Sequence, residues 1–306
     1  MDLLILILQG IIVAATPLAF AAIGELIVEK SGVINLGVEG MMVLGAIAGF
    51  GVTLNTGSYV AGIVAAALAG ASAAALFAIL TQVLISNQVA TGLALTIFGL
   101  GLSALLGQGY SGQSTEPLPV IAIPVLSNIP ILGQILFVHD SLVYLSVLIV
   151  VGVFWFLNKT RAGLILRAVG ENHNAAHAIG YNVAVVRTAA LLFGGACAGL
   201  GGVYLSIVQT PLWVDNMTAG RGWIALAIVV FAAWRPVRAL LGAYLFGGVT
   251  VVQLHIQGFG VNIDAQYLSM LPYLVTILVL VMISHDKVKV GINAPACLGK
   301  PFYASS

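Results

Sequence analysis

The sequence predicts an all-α polytopic membrane protein with about nine transmembrane helices, within a range of roughly eight to ten. Asp, Glu, Lys and Arg make up only 7% of its 306 residues, whereas soluble proteins carry about 25%, so a water-soluble enzyme is excluded. Residues of the AVILMFWYC set make up 60%, which also excludes a disordered chain. The apolar runs are continuous, as from Val60 to Leu80, and do not alternate as the strands of an outer-membrane barrel do. The net charge of +1 leaves no case for nucleic-acid binding.

Nine apolar runs, separated by polar or Gly/Pro breaks, are each expected to form one crossing of about 20 residues. The first run, MDLLILILQG onward, lacks the basic region and the small-residue cleavage site of a signal peptide, so we expect it to be retained as a span. The seventh run is the weakest, because its unbroken apolar part is short. The nine runs cover residues 3–24, 37–54, 58–85, 88–107, 141–158, 187–208, 217–233, 237–254 and 268–284.

The basic residues predict which helix ends face the cytoplasm. Nine of the eleven Lys and Arg residues fall in three places, which the positive-inside rule assigns to the cytoplasmic side. The loop 108–140 contains no Lys or Arg and is expected to be external, and the segments near Asp215 and Asp264 are also poor in basic residues. Nine crossings then place the N-terminus outside and the C-terminus in the cytoplasm. The nine basic residues are Lys159, Arg161, Arg167 and Arg187, then Arg235 and Arg238, then Lys287, Lys289 and Lys300.

One stretch departs from the pattern of simple crossings. Residues 24–40 read GELIVEKSGVINLGVEG, and their charges and glycines predict a broken helix or a short re-entrant element. The run from Glu39 to Gly45 also resembles the run from Arg221 to Ala227, since each begins with a charge, a glycine and two large apolar residues. Because the predicted topology places these two runs in opposite directions, they indicate an inverted repeat, with a chance match as the alternative.

Motifs for catalysis or metal binding are not found in the sequence. The nearest approach to a phosphate-binding loop, residues 24–31, has Glu29 where the second glycine should stand, and a carboxylate there would repel phosphate. His173 and His177 are four residues apart, but no third ligand is evident, so we expect two solvated loop histidines and no metal site. The two cysteines are expected to be unpaired thiols. The sequence therefore does not indicate an enzyme.

Ionisable residues inside apolar segments are the remaining indication of a functional site. Each costs roughly 2.5–3.5 kcal/mol to insert into a membrane, so such residues usually face protein or water. Glu39 and Asn35 are the leading candidates for a solute path, and Arg221, which begins the second of the two similar runs, is a further candidate. The structural alternative is that Glu39 and Arg221 bind backbone groups, or each other, and fix the packing. The full set of predicted path residues is Asn35, Glu39, Gln88, Thr91, Arg221 and Trp223, in which the ring of Trp223 offers a face for stacking.

The loop 159–187 is the most informative polar segment. Its middle, residues 172–179, is rich in helix-forming alanine, and Gly180 can end the helix. A short cytoplasmic helix between two spans is a means for a membrane subunit to contact a soluble motor protein. An ordinary amphipathic loop is the alternative.

Four motifs, spread in order over nearly the whole chain, resemble the permease subunits of bacterial ABC importers. The resemblance is to the superfamily of ribose, nucleoside and branched-chain amino-acid permeases, and is closest to the nucleoside (purine) type that works with basic-membrane-lipoprotein binding proteins. The motifs are specific to the family but do not fix the solute. They are SGVINLGVEGMMVLGA (31–46), RAVGENHNAAHAIGYNV (167–183), TAGRGWIALA (218–227) and MLPYLVTILVL (270–280).

The resemblance implies one permease domain, residues 1–306, in the bacterial inner membrane, which moves a nucleoside or a related small polar solute by alternating access. It also implies three kinds of partner: a second permease, identical or related; cytoplasmic ATPase subunits, which bind the ATP and Mg²⁺; and a periplasmic substrate-binding lipoprotein. No cofactor is expected in this chain itself. His177 departs from the family pattern, because many relatives carry an acidic residue there. The positions that match the ATPase-coupling segment are Gly170, Glu171, Asn172, Ala175, Ala176 and Gly180.

A secondary transporter driven by an ion gradient is the alternative function. In that case Glu39 would be the coupling carboxylate, and no ATPase would be needed. The resemblance of the loop 159–187 to a coupling segment argues against this alternative, and neighbouring genes for an ATPase, a second permease and a lipoprotein would decide the question.

Overall fold

The computed structural model describes residues 2–124, 126–258, 267–268, 270–284 and 293–303. Three residues used in the orientation argument, Asp264, Lys287 and Lys289, lie outside these ranges. The described residues form a helical bundle with one small β-hairpin, β1 (Val120–Ala122) and β2 (Val138–Asp140). Helices α3 and α9 each continue into a π-helical turn, Ile79–Val83 and Leu205–Gln209, and short 3-10 turns occur at Gln108–Tyr110 and Leu126–Asn128. The α-helices are α1 Asp2–Lys30, α2 Val38–Thr56, α3 Tyr59–Ala78, α4 Gln88–Gly107, α5 Leu132–Leu136, α6 Ser141–Lys159, α7 Arg161–Glu171, α8 His173–Ala178, α9 Val183–Tyr204, α10 Arg221–Phe231, α11 Pro236–Gly258 and α12 Leu271–Ser284.

Seven helices within the described residues are long and apolar enough to cross a bilayer, namely α1, α2, α3, α4, α6, α9 and α11. They correspond to seven of the nine predicted crossings. The run predicted to cross at 217–233 contains only α10, whose 11 residues reach about 16 Å, half of a ~30 Å hydrocarbon core. The last run, 268–284, corresponds to the 14-residue helix α12. Among the described residues, seven long helices and two shorter ones therefore match the prediction of about nine transmembrane helices roughly but not exactly.

Helix α1 is longer than the sequence analysis predicts. The first crossing was expected to end at residue 24, but the helix continues without interruption to Lys30. The glycine serves a different purpose: a Cβ placed on Gly24 would lie 2.9 Å from the carbonyl oxygen of Gly194, so its small size lets α9 approach. The irregular backbone that the sequence predicts is confined to residues 31–37, immediately before α2.

The segment 210–220 leads into α10 without forming a helix. At its start, Trp213 packs with Phe50 in a small apolar cluster. At its end, Gly222 lies against Glu39 in the first turn of α2. Phe50 and Glu39 are about three helical turns apart, roughly 16 Å along α2, so the segment descends by a similar distance into the bundle. An irregular first half explains why the seventh apolar run is the weakest in the sequence.

Helices α2 and α9 form the buried centre of the bundle, and their glycines allow close approach. A Cβ on Gly45 would collide with the backbone of Gly199. A Cβ on Gly70 of α3 would likewise collide with the carbonyl of Gly195. The four-residue spacing of Gly195 and Gly199 is typical of helix pairs that pack backbone to backbone in membranes.

Two sets of four helices have corresponding packing partners, in agreement with the repeat that the sequence predicts. The first set is α1 to α4, and the second is α9 to α12. Helix α3 packs on α9 as α11 packs on α1, and α2 contacts α4 as α10 contacts α12. The two similar runs, 39–45 and 221–227, lie at the starts of α2 and α10. These two helices meet where Gly222 lies against the backbone of Glu39.

The loops 108–140 and 159–187 both contain regular structure. In the first, β1 and β2 pair in antiparallel register, and Asp140 joins the hairpin to the bundle: its carboxylate accepts the N–H of Leu142 at 2.9 Å and the hydroxyl of Tyr204 at 3.1 Å. In the second, α8 confirms the short helix predicted at 172–179, and the preceding helix α7 is additional.

Candidate translocation and coupling sites

The first turns of α2 and α10 meet at the carboxylate of Glu39, which is 2% exposed. One carboxylate oxygen accepts the Thr218 hydroxyl at 2.5 Å and the Gly220 N–H at 2.8 Å, and the other accepts the Gly222 N–H at 2.6 Å. The N–H groups that begin a helix lack intrahelical partners and carry a partial positive charge. The carboxylate of one helix therefore satisfies the start of the other.

The hydrogen bonds of Glu39 have the form that the structural alternative predicts. Its oxygens are occupied by three donors, so it is not a free carboxylate in this conformation. Arg221 does not hydrogen-bond to Glu39; its guanidinium donates to the carbonyl oxygen of Met217 at 2.9 Å. The structural alternative raised from the sequence, in which each residue binds backbone groups, describes these contacts.

Asn35, Gln88 and Thr91 hold the turn 31–37 and the loop before α4. Asn35 is fully buried, and its side-chain oxygen accepts the N–H of Gly37 at 3.0 Å. The side-chain oxygen of Gln88 accepts the N–H of Ile34 at 2.9 Å, and the Thr91 hydroxyl lies 2.9 Å from that of Ser86. These residues shape the backbone in front of α2 and α4.

Glu25 and Glu29 are two further buried carboxylates, one turn apart on α1 and 1% and 4% exposed. One oxygen of Glu25 accepts the side-chain N–H of Asn35 at 3.2 Å. One oxygen of Glu29 accepts the indole N–H of Trp234, just beyond α10, at 2.6 Å. The sequence analysis treated these charges only as helix breakers. Their four-residue spacing on an apolar helix was the signal that they share one buried face.

The exposed side of this region is aromatic. Trp223 in the first turn of α10 is 47% exposed, and so is Tyr273 in α12. The Tyr273 hydroxyl donates to the carbonyl oxygen of Ala219 at 3.0 Å, which connects α12 to the irregular segment. Asp215 and Asn216, in the same segment, are exposed as well.

The predicted coupling segment consists of two consecutive helices, α7 and α8. The side chain of Asn172 accepts the N–H of Ala175 at 2.9 Å, so it caps α8 and does not belong to the helix itself. Gly180 ends the segment with a φ of +93°, a conformation that favours glycine. Of the six predicted coupling residues, Glu171, Asn172, Ala175 and Gly180 are exposed, while Gly170 and Ala176 are buried.

Gly170 packs inside the chain, away from the exposed surface. A Cβ at this position would collide with the carbonyl oxygen of Lys30, at the end of α1. Its own carbonyl accepts the N–H of Cys297 at 2.9 Å. The glycine thus allows the coupling segment to contact both the end of α1 and the tail 293–303.

Arg187 joins these parts from a fully buried position at the start of α9. Its guanidinium donates to the carbonyl oxygens of Ser31 at 3.2 Å and Lys300 at 3.1 Å, and lies 3.1 Å from Nδ1 of His173. Burial, and then the charges of Arg187 and Lys300, lower the pKa of His173. The imidazole is therefore held in its neutral form, with Nδ1 as the acceptor. The ring of Phe302 packs edge-on against it at a centroid distance of 5.3 Å.

Residues 7–280 match the family described as the branched-chain amino acid transport system permease component. The chain belongs to this permease family. A putative glucose ABC transporter permease of Haloferax volcanii is 41% identical to it over 90% of each chain. A nucleoside ABC transporter permease of Lactococcus lactis is 34% identical, over 90% of this chain and 92% of the relative. A guanosine ABC transporter permease of Bacillus subtilis is 33% identical, over 91% and 92%. No solved structure matches the chain.

These matches confirm the family resemblance seen in the four motifs and rule out the alternative of an ion-gradient transporter. The permease is the membrane-spanning component of an ABC importer, and is not itself an enzyme. A permease of this family works with an ATPase and a substrate-binding protein, and it is a multi-pass protein of the plasma membrane.

Three residues of the permease site were missed in the sequence analysis. In the sequence, Arg187 only indicates which side is cytoplasmic, Tyr273 lies within an apolar run, and Ile179 ends the predicted short helix. Ile179 is 72% exposed at the tip of the coupling segment. An apolar side chain in so polar a loop was the signal that could have identified it.

Proposed function

We propose that this permease imports a nucleoside. Two of its relatives at 33–34% identity are named for a nucleoside and for guanosine. The observation that carries the proposal in this chain is the pair of exposed aromatic rings, Trp223 and Tyr273, beside the meeting point of α2 and α10. Stacking of a base on an aromatic ring contributes about 1–3 kcal/mol in nucleic-acid proteins.

Glucose is the second candidate solute, favoured by the relative at 41% identity. A sugar ring is common to both candidates, so the two share the need for a polar, water-filled path with hydrogen-bonding groups. Only the nucleoside carries a base, and a base requires an aromatic or apolar surface in the path.

The path is assigned to the face that carries Asp215, Asn216, Arg221 and Trp223. Irregular backbone at membrane depth is tolerated only where protein covers it or where it lines a watery cavity. The segment 210–220 descends roughly 16 Å into the bundle, and several of its residues are exposed. That face therefore borders water or a partner chain and does not face lipid. Asn35, Glu39, Gln88 and Thr91 lie behind it and hold α2 and α4 in place.

The partners follow from the same arrangement. The exposed residues of the coupling segment, with Ile179 at the tip, contact an ATPase subunit that binds ATP and Mg²⁺. A second permease, identical or related, covers the other side of the path, and a lipoprotein delivers the solute from outside. The N-terminus is external and the C-terminus cytoplasmic, in keeping with the basic residues at 159–187 and 235–238.

Uptake of labelled guanosine and of labelled glucose in cells that express the whole importer tests the solute. We expect guanosine to be taken up and excess unlabelled glucose not to compete. Trp223→Ala should lower guanosine uptake about tenfold, while Trp223→Phe should retain most of it. Trp155→Ala is the matched control, because Trp155 is 60% exposed on α6, away from this face. Uptake of glucose alone would replace the nucleoside proposal, and equal loss in both Ala variants would remove the role of Trp223.

A further inference from the structure

A second feature is lined by none of the residues of the proposed path. Helices α1, α6, α7 and α9 enclose an apolar groove of about 660 Å³. Its lining includes Ile27 of α1, Gly152 and Phe156 of α6, Ile165 of α7, and Ala189 and Phe193 of α9. Pockets of this size bury a small ligand, and none of the residues that line this one is charged.

The depth of the groove corresponds to one leaflet of a bilayer. On α6 it extends from Leu148 to Phe156, which is about 12 Å along the helix, and its lower end is one turn from Lys159. Half of a hydrocarbon core is about 15 Å. The amphipathic helix α7 closes the lower end, where a leaflet would meet water.

The mouth of the groove is positively charged. Lys159 and Arg161 are both exposed at the turn between α6 and α7. Arg161 is four residues before Ile165, so it lies on the face of α7 that lines the groove. Residues 141–170 contain no Asp or Glu that would offset these charges. An apolar groove with two cations at its mouth complements an anionic phospholipid.

We propose that this groove binds one acyl chain of an anionic phospholipid, with the phosphate held by Lys159 and Arg161. Helix α7 is the first helix of the coupling segment, and α8 follows it after a single residue. A bound lipid would therefore support α7 between the bilayer and the end of α1, and would fix the position from which α8 meets its partner. The site is separate from the solute path, so it holds for any transported solute.

The test uses the purified complex of permease and ATPase, stripped of lipid and titrated with phosphatidylglycerol or phosphatidylcholine under native mass spectrometry. Gly152→Phe is the decisive variant: Gly152 lines the groove and a Cβ there meets nothing within 4 Å, so a large side chain has room to enter the groove. Gly101→Phe is the matched control, because Gly101 on α4 also has open space around it and lies away from the groove. The double variant Lys159→Glu, Arg161→Glu tests the headgroup contact.

We expect wild type and Gly101→Phe to retain phosphatidylglycerol at least tenfold more tightly than phosphatidylcholine. Gly152→Phe should lose this binding, and the double Glu variant should bind both lipids equally weakly. Unchanged phosphatidylglycerol binding by Gly152→Phe would overturn the proposal, as would equal retention of both lipids by wild type. Loss of one permease from the Gly152→Phe complex would also overturn it, because the groove would then be a contact between chains.

Discussion

Carboxylates inside the bundle take their hydrogen-bond donors from remote parts of the chain. Glu39 accepts donors from residues 218–222, and Glu29 accepts one from Trp234. A buried carboxylate without such partners would be costly, whereas one that satisfies helix N–H groups stabilises both helices. The sequence singles out Glu39 as unusual, but only the fold reveals its partners.

Removal of the Glu39 carboxylate should destabilise the folded permease. Glu39→Ala leaves two N–H groups and a hydroxyl without acceptors, and should lower the free energy of unfolding by about 3 kcal/mol or more. Glu39→Gln retains one acceptor oxygen and should cost less. Thermal unfolding of the detergent-purified complex measures both, with Glu116→Gln in the exposed loop as the control. Equal midpoints for Glu39→Ala and wild type would contradict the role of these hydrogen bonds.

His173 should make the coupling region sensitive to acid. Burial and the adjacent Arg187 and Lys300 lower its pKa, so the unfolded chain takes up the proton first as the pH falls. The stability from the neutral imidazole is fully present above about pH 6.5 and decreases as the pH falls below that value.

The comparison of wild type with His173→Asn checks this, because asparagine keeps an acceptor and does not titrate. Between pH 7.5 and pH 5.5 the unfolding midpoint of wild type should fall further than that of the variant. Parallel decreases in the two proteins would mean that His173 contributes nothing to the pH dependence.

Among the helices, α7 and α10 show how an element is positioned by what it touches. Helix α7 approaches α1 because position 170 has no side chain. Helix α10 is short because an irregular segment precedes it, in which the Gly220 N–H donates to the carboxylate of Glu39.

Gly170→Val should separate the coupling segment from α1. The added side chain collides with the carbonyl oxygen of Lys30, and forced overpacking of this kind costs about 1–3 kcal/mol. We expect the complex to assemble with normal amounts of permease, but uptake to fall at least tenfold while ATP hydrolysis continues. Gly109→Val, where a Cβ meets nothing within 4 Å, is the control. Wild-type uptake by Gly170→Val would show that this close contact is not needed.

The limits of sequence reasoning are clearest in these same elements. Continuous apolar runs identify the long helices, because each must bury about 20 residues in lipid. The run 217–233 is also apolar, yet its composition does not reveal that Thr218 to Gly220 are held out of the helix by a carboxylate about 180 positions away. In the coupling region, Gly170, Glu171 and Gly180 are found from a resemblance. The role of Arg187 depends on a tail more than 100 residues later, which no local pattern encodes.

For the whole molecule, two sets of helices with corresponding contacts surround one buried centre, and the irregular segments of both sets lie beside it. By the positive-inside rule, the basic residues at 159–187 and 235–238 predict that one end of this bundle faces the cytoplasm. The loop with the β-hairpin is then predicted to be external.

Thiol labelling tests the orientation. With Cys197 and Cys297 replaced, Gln113→Cys should react with a membrane-impermeant maleimide added to intact cells. Asn174→Cys should react only in inverted membrane vesicles. Both residues are exposed, so a lack of reaction would not result from burial. The opposite pattern would reverse the topology and place the coupling segment outside.

The contacts of residues 295–302 also fix an order of assembly during translation. The coupling segment and the end of α1 are synthesised long before the tail that joins them through Cys297, Gly299 and Lys300. Chains are made from the N-terminus onward, at about 5–20 residues per second. The segment 161–180 therefore lacks these contacts until residues 297–300 have been synthesised, more than 100 residues later.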